Sequence, residues 1–124
     1  MFYQNILLVD DDADDREIFE TALRRISTEV GFTAVASAIE ALARLRAGHT
    51  ADIIFLDLNM PIMNGMEFLA EIKKDKRLSD IPVIVFSTSG SSRSVDQAKE
   101  LGAHDYITKP YEIRQLVDIL QNIL

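Results

Sequence analysis

The chain has 124 residues, 48% of them hydrophobic, with 13 basic against 20 acidic side chains and a net charge of −7. That length and apolar share provide one domain with a real core, and exclude a disordered chain or a small scaffold held by covalent staples. The absence of Cys excludes disulfide frameworks and thiolate metal sites and fits a reducing cytoplasm, while the acidic balance opposes direct binding to a nucleic-acid backbone.

In chain order, the first apolar run is Ile6–Val9. Acids then occupy six of the eight positions from Asp10 to Glu17, with Arg16 the one residue of opposite sign. One or two acids cap a helix start and suit its positive dipole end. Six exceed that need, so either most are solvated or some share a cation. Ile18, Phe19, Ala22, Leu23 and Ile26 follow at helical spacing on one face. Phe32–Ala36 is the second run, and Ala38, Ile39, Ala41, Leu42 and Leu45 form a second helical face stopped by Gly48. After the third run, Ile53–Leu56, a third helix is marked by Met66, Leu69 and Ile72. The basic cluster Lys73, Lys74, Lys76 and Arg77 reads as its solvated end. Val83–Phe86 precedes a helix marked by Val95, Ala98 and Leu101 and ended by Gly102. Asp105–Ile107 precedes a last helix marked by Ile113, Leu116, Val117 and Leu120. None of the apolar runs approaches the length of a membrane span, and the N-terminus lacks the pattern of a signal peptide.

Short continuous apolar runs predict strands buried on both faces. Alternating with helices, they predict an α/β fold: a (βα)5, doubly wound, five-stranded parallel sheet with right-handed crossovers. Five such strands commonly take the flavodoxin-like order 2-1-3-4-5, in which ligands bind beyond the strand carboxyl ends, between strands 1 and 3. The residues at those ends form a specific set. Strand 1 leads to Asp10 and Asp11, and strand 3 to Asp57, followed by Leu58, Asn59, Met60 and Pro61. Strand 4 leads to Ser87, and strand 5 through Tyr106 to Lys109 and Pro110. Hard oxygen ligands without His or Cys suit Mg²⁺ or Mn²⁺. Asp10 and Asp11 are then the acids that share a cation, while Asp12, Asp14 and Asp15 are caps or solvated. A carboxylate can attack phosphorus to form an aspartyl phosphate, and Asp57, between the other groups, is the candidate acceptor. Lys109 and Ser87 are placed to contact phosphoryl oxygens. His49 and His104 carry no assigned chemistry, Pro61 fixes a turn, and Gly65 permits a close approach before the third helix.

The stretches "ILLVDDD", "IIFLDLNMPIMNG", "PVIVFSTSG" and "GAHDYITKP", in that order, resemble the receiver domain of bacterial two-component response regulators. The resemblance covers essentially the whole chain and implies a single receiver domain over residues 1–124, of the stand-alone, chemotaxis-regulator-like type. It implies that Asp57 accepts a phosphoryl group from a phosphohistidine on a sensor histidine kinase or a histidine phosphotransfer protein. It further implies Mg²⁺ held by Asp11, Asp57 and the Asn59 carbonyl, with Asp10 acting through water. Ser87 matches the switch hydroxyl, Tyr106 the switch aromatic and Lys109 the phosphoryl-contacting lysine. Asn59, Thr88 and Ser89 fall where phosphoryl lifetime is tuned, Thr88 beside the entry to the acceptor. The Lys109–Pro110 bond is expected to be cis.

Phosphorylation adds nearly two negative charges, draws Ser87 and the loop to Ser92 inward, and leaves space for Tyr106 to enter from an outward rotamer. Output is then protein–protein contact with a downstream protein, or homodimerisation, through the fourth helix, fifth strand and fifth helix. No nucleic acid or membrane is involved, the location is cytoplasmic, and catalysis is confined to the domain's own phosphoryl transfer and dephosphorylation. A flavodoxin-type electron carrier would need a glycine- and hydroxyl-rich phosphate loop where Asp10–Asp12 stand. An aspartate-nucleophile phosphohydrolase usually wants a second acid where Asn59 stands. A receiver used only for docking has no need of the acidic pair, Asp57 and Lys109 together.

Overall fold

The structure, a computed structural model, describes residues 3–124. Strands and helices alternate: β1 (Asn5–Val9), α1 (Ala13–Ile26), β2 (Gly31–Val35), α2 (Ala38–Arg46), β3 (Ile53–Leu56), α3 (Gly65–Lys74), β4 (Val83–Ser87), α4 (Ser92–Glu100), β5 (Asp105–Thr108) and α5 (Ile113–Ile123). All strand pairs are parallel and the order is β2-β1-β3-β4-β5, as expected. Side chains alternate across the sheet. Leu7, Val9, Ile54 and Leu56 pack with Leu42, Leu45, Phe68, Leu69 and Ile72 of α2 and α3. On the opposite face, Ile6, Leu8, Ile53 and Phe55 pack with Phe19, Leu23, Leu116 and Leu120 of α1 and α5. Phe19 anchors that side, with its ring centroid 5.0 Å from that of Phe55 and 5.8 Å from that of Phe86.

Four helices start on a side-chain cap: Asp12 for α1, Ser37 for α2, Asn64 for α3 and Ser91 for α4. Asn64 forms a capping box with Glu67, which satisfies two otherwise free N–H groups. The register of β1 with β3 sets Val9 beside Leu56, so the next residues of both strands emerge level with each other. The Asp57 N–H donates to the Val9 carbonyl at 2.9 Å, which fixes Asp57 next to Asp10.

Several expectations need correction. Two-sided burial holds for the apolar residues of β1, β3 and β4. Along β2 and β5 it does not, because solvent reaches an edge strand from its open side. Ile18 and Ile39 are 45% and 49% exposed, so the apolar stripes of α1 and α2 are narrower than their sequence periodicity indicates. Phe68, fully buried on α3, adds to the face predicted from Met66, Leu69 and Ile72. Lys73 is not a solvated helix-end charge: its Nζ donates to the Ser79 carbonyl at 3.0 Å, and burial lowers its pKa against the opposing charge of Asp80.

Candidate functional site

Among the described residues, the only buried polar or charged side chains are Asp10, Asp57 and Ser87. All three stand at the carboxyl ends of the central strands. Burying such groups is costly unless they are paired, and among the described residues the fold accepts that cost at these strand ends. Carboxylate oxygens of Asp10, Asp11 and Asp57 lie within 4.8 Å of one another. Asp10 is held from several sides. Its Oδ1 accepts from the Asp12 N–H at 3.0 Å, and its carbonyl accepts from Arg16 Nη1 at 2.8 Å.

Lys109 enters from the end of β5, and its N–H donates to the Ser87 carbonyl at 2.8 Å. Its Nζ lies 2.8 Å from Asp10 Oδ2, 2.8 Å from Asp15 Oδ2 and 3.7 Å from Asp57 Oδ2. The Phe86 ring lies alongside, with Nζ 5.7 Å from its centroid. Asp15, read from sequence as a cap or solvated acid, is thus an ion-pair partner of the site lysine. The capping role belongs to Asp12, whose side chain accepts from the N–H groups of Asp14 and Asp15.

Burial raises the pKa of Asp10, against the Lys109 hydrogen bond and charge and the Asp12 N–H. Burial likewise raises Asp57, opposed by the charge of Lys109 and reinforced by Asp10 and Asp11. For Lys109 burial acts downward, but hydrogen bonds to Asp10 and Asp15 and the charges of Asp10 and Asp57 outweigh it, so its pKa rises. The clustered carboxylates of Asp10, Asp11 and Asp57, with Lys109 shared between Asp10 and Asp15, leave a surplus of negative charge and oxygen donors. That donor set fits a hard divalent cation such as Mg²⁺ or Mn²⁺.

Around this centre, Asn59 is exposed with its backbone N–H directed to the Asp57 carboxylate. Thr88 is exposed and Ser89 half-buried in the loop after β4. Tyr106, half-buried against Leu58, Val85 and Ala98, donates its hydroxyl proton to the Ser89 carbonyl, which ties β5 to that loop. The ring is therefore tucked under the loop, where an outward rotamer was expected. The Lys109–Pro110 bond is trans, contrary to the expectation from resemblance, and no described peptide bond is cis. Trans is the favoured isomer of an X–Pro bond by about 0.5–1 kcal/mol, and Lys109 reaches its three carboxylates from it. Gly65 makes the close approach anticipated for it: a Cβ there would sit 2.5 Å from the Asp57 carbonyl oxygen. Ile62 is a feature that sequence reading passed over, with φ at 71° and 90% exposure.

A family model described as the response regulator receiver domain matches residues 6–121. The chain belongs to that family. The two-component response regulator ORR13 of Oryza sativa subsp. japonica is 38% identical over 119 residues, which make up 96% of this chain and 97% of that protein. The chemotaxis protein CheY1 of Helicobacter pylori is 32% identical, over 96% of this chain and 95% of its own. Among solved structures, the phosphorylated cyanobacterial phytochrome response regulator RcpA superposes with a TM-score of 0.90 at 35% identity, covering 98% of this chain and 91% of that one. The Mn²⁺-bound form of response regulator Rcp1 superposes with a TM-score of 0.86 at 31% identity, covering 97% and 91%. The receiver is a signalling module of two-component systems, a family in which phosphorylation of an aspartate and dependence on Mg²⁺ are general. Among the described residues, no helix is long and apolar enough to cross a membrane.

Proposed function

We propose that Asp57 is the phosphoryl acceptor of this receiver. The observation that carries the reading is the burial of Asp10 and Asp57 beside Lys109, with Ser87 buried at the neighbouring strand end. In the proposed step an Asp57 carboxylate oxygen attacks phosphorus, the Oδ–P bond forms and the donor's imidazole N–P bond breaks. The donor's ring nitrogen keeps the bonding pair and takes a proton. The donor is a phosphohistidine on a sensor histidine kinase or histidine phosphotransfer protein. Asp10, Asp11, Asp57 and the Asn59 carbonyl would hold Mg²⁺ or Mn²⁺, which when bound neutralises phosphoryl charge. That RcpA is solved phosphorylated and Rcp1 with Mn²⁺ supports both assignments by analogy. Lys109 supplies an ammonium and Ser87 a hydroxyl to separate phosphoryl oxygens, and the ammonium already pairs with the cluster.

The switch elements are Ser87 and Tyr106. A phosphoryl oxygen accepting from the Ser87 hydroxyl displaces the loop whose Ser89 carbonyl Tyr106 holds, so the strain reaches the face of α4, β5 and α5. Asn59, in the loop after β3, and Thr88 and Ser89, in the loop after β4, tune how long the phosphoryl group survives. The α4–β5–α5 face is the output surface for a downstream protein or for a second copy. The domain spans 1–124, works in the cytoplasm, and acts as a signalling protein that catalyses only its own phosphoryl transfer and dephosphorylation. Incubation with acetyl phosphate and Mg²⁺, followed by intact-mass measurement, tests the reading. Wild type should gain one labile phosphoryl group and Asp57→Asn none. An equal gain in both would move the acceptor elsewhere.

A further inference from the structure

We propose that Asp15 is a positioning residue for Lys109, tethering the ammonium where a phosphoryl oxygen on Asp57 meets it. The proposal rests on the acceptor reading of Asp57. Lysine has three N–H donors. Two are engaged by Asp10 and Asp15 at 2.8 Å each, while Asp57 at 3.7 Å lies beyond hydrogen-bond range. One donor is thereby left for a new acceptor in the gap toward Asp57.

The two anchors differ in kind. Asp10 is shared, since its carboxylate also belongs to the three-acid cluster suited to a cation. Asp15 stands outside that cluster, so its bond to Lys109 is not in competition with metal ligation. Its backbone is also held in the first turn of α1, where its N–H donates to the Asp12 cap. A tether matters here because the lysine has somewhere else to go. A cavity of 120 Å³ adjoins the pair, lined by Ile18, Phe86, Pro110 and Leu116 as well as by Asp15 and Lys109 themselves. A four-carbon stem without its second anchor can swing into that space, and misplacement of a catalytic group on the ångström scale is enough to slow a reaction.

The test compares wild type with Asp15→Asn, Asp15→Glu and Asp14→Asn. Asp14→Asn removes the same charge one residue away, from an exposed side chain with no bond to Lys109. Two readouts are taken. One is the rate of Lys109 acetylation by a small anhydride in metal-free protein, read by peptide mass spectrometry. The other is the rate of phosphorylation by acetyl phosphate at saturating Mg²⁺. Asp15→Asn should label Lys109 faster and phosphorylate more slowly, each by about three- to tenfold. Asp15→Glu should recover most of both, and Asp14→Asn should match wild type. The proposal is overturned if Asp14→Asn reproduces the effect, or if only one of the two rates changes. A wild type that gains no phosphoryl group refutes the acceptor reading itself, and the labelling rates then stand as a separate result on the Asp15–Lys109 tether.

Discussion

Replacing Asp57 by Asn should stabilise the metal-free protein. The carboxylate lies within 4.8 Å of an Asp10 oxygen and 3.7 Å from Lys109 Nζ. At an effective dielectric of about 20, the repulsion from Asp10 costs about 3.5 kcal/mol and the attraction to Lys109 returns about 4.5. Asp11 adds further repulsion, reduced because it is exposed to screening solvent. The Coulomb contributions therefore nearly cancel, and desolvation decides the sign. Asp57 is only 5% exposed, and burial is the first cause of its raised pKa. The amide keeps the shape, removes the buried charge and offers donors to Asp10 and Asp11, for a gain of about 1–3 kcal/mol. Unfolding entropy of about 2.1 cal/mol/K per residue, about 0.26 kcal/mol/K at this length, converts that gain to a Tm rise of about 4–11 °C.

Thermal unfolding followed by circular dichroism in EDTA measures the effect, and a pH series tests its cause. In the folded state Asp10 and Asp57 hold their protons to higher pH than the ordinary value of 3.8. The unfolded chain therefore releases them first, and wild-type stability falls as pH rises from there until the raised folded values are passed. Asp57→Asn should show a shallower fall. With Mg²⁺ at about 100 times its Kd, wild type should gain about 2.7 kcal/mol, roughly 10 °C, and the variant much less. A Tm in EDTA equal to or below that of wild type would refute the reasoning, because it would mean that Lys109 outweighs desolvation.

Three further outcomes are expected. Gly65→Ala would place a methyl 2.5 Å from the Asp57 carbonyl oxygen and 2.7 Å from the Leu58 Cα, both backbone atoms. It should cost about 3 kcal/mol or more in denaturant unfolding and weaken Mg²⁺ binding by calorimetry. Ile62→Asn should raise stability by about 1 kcal/mol, since a β-branched residue is strained at φ 71° and its 90% exposed side chain forfeits little burial; an unchanged Tm would show that the loop relaxes. Tyr106→Ala removes the bond to the Ser89 carbonyl, and partner binding should become insensitive to phosphorylation. Preserved coupling in a pull-down of the phosphorylated protein would count against the switch role.

Strand-end chemistry was legible in the sequence because topology alone places it. Once β1 and β3 are adjacent and in register, Asp10 and Asp57 must meet whatever their side chains do, and Ser87 and Lys109 follow from the next two strands. Features that depend on how far one side chain reaches were not legible. Asp15 meets Lys109 across 94 residues of sequence, and the pattern of acids after Asp11 cannot say which of them turns inward. A signal was available nonetheless: α1 begins only three residues after Asp10, so Asp15 in its first turn is held close to the same mouth. Apolar periodicity has a similar limit, since it locates the buried face of α1 through Phe19 and Leu23 but not the edge at which Ile18 emerges. The isomer of Lys109–Pro110 also lay beyond it, because either isomer is compatible with the residues that flank the bond. The division is physical. The residues proposed to perform the chemistry are placed by backbone register, which alternation of strands and helices encodes directly. Those proposed to tune it, Asp15 and Tyr106, make their contacts through side-chain reach, which register does not encode.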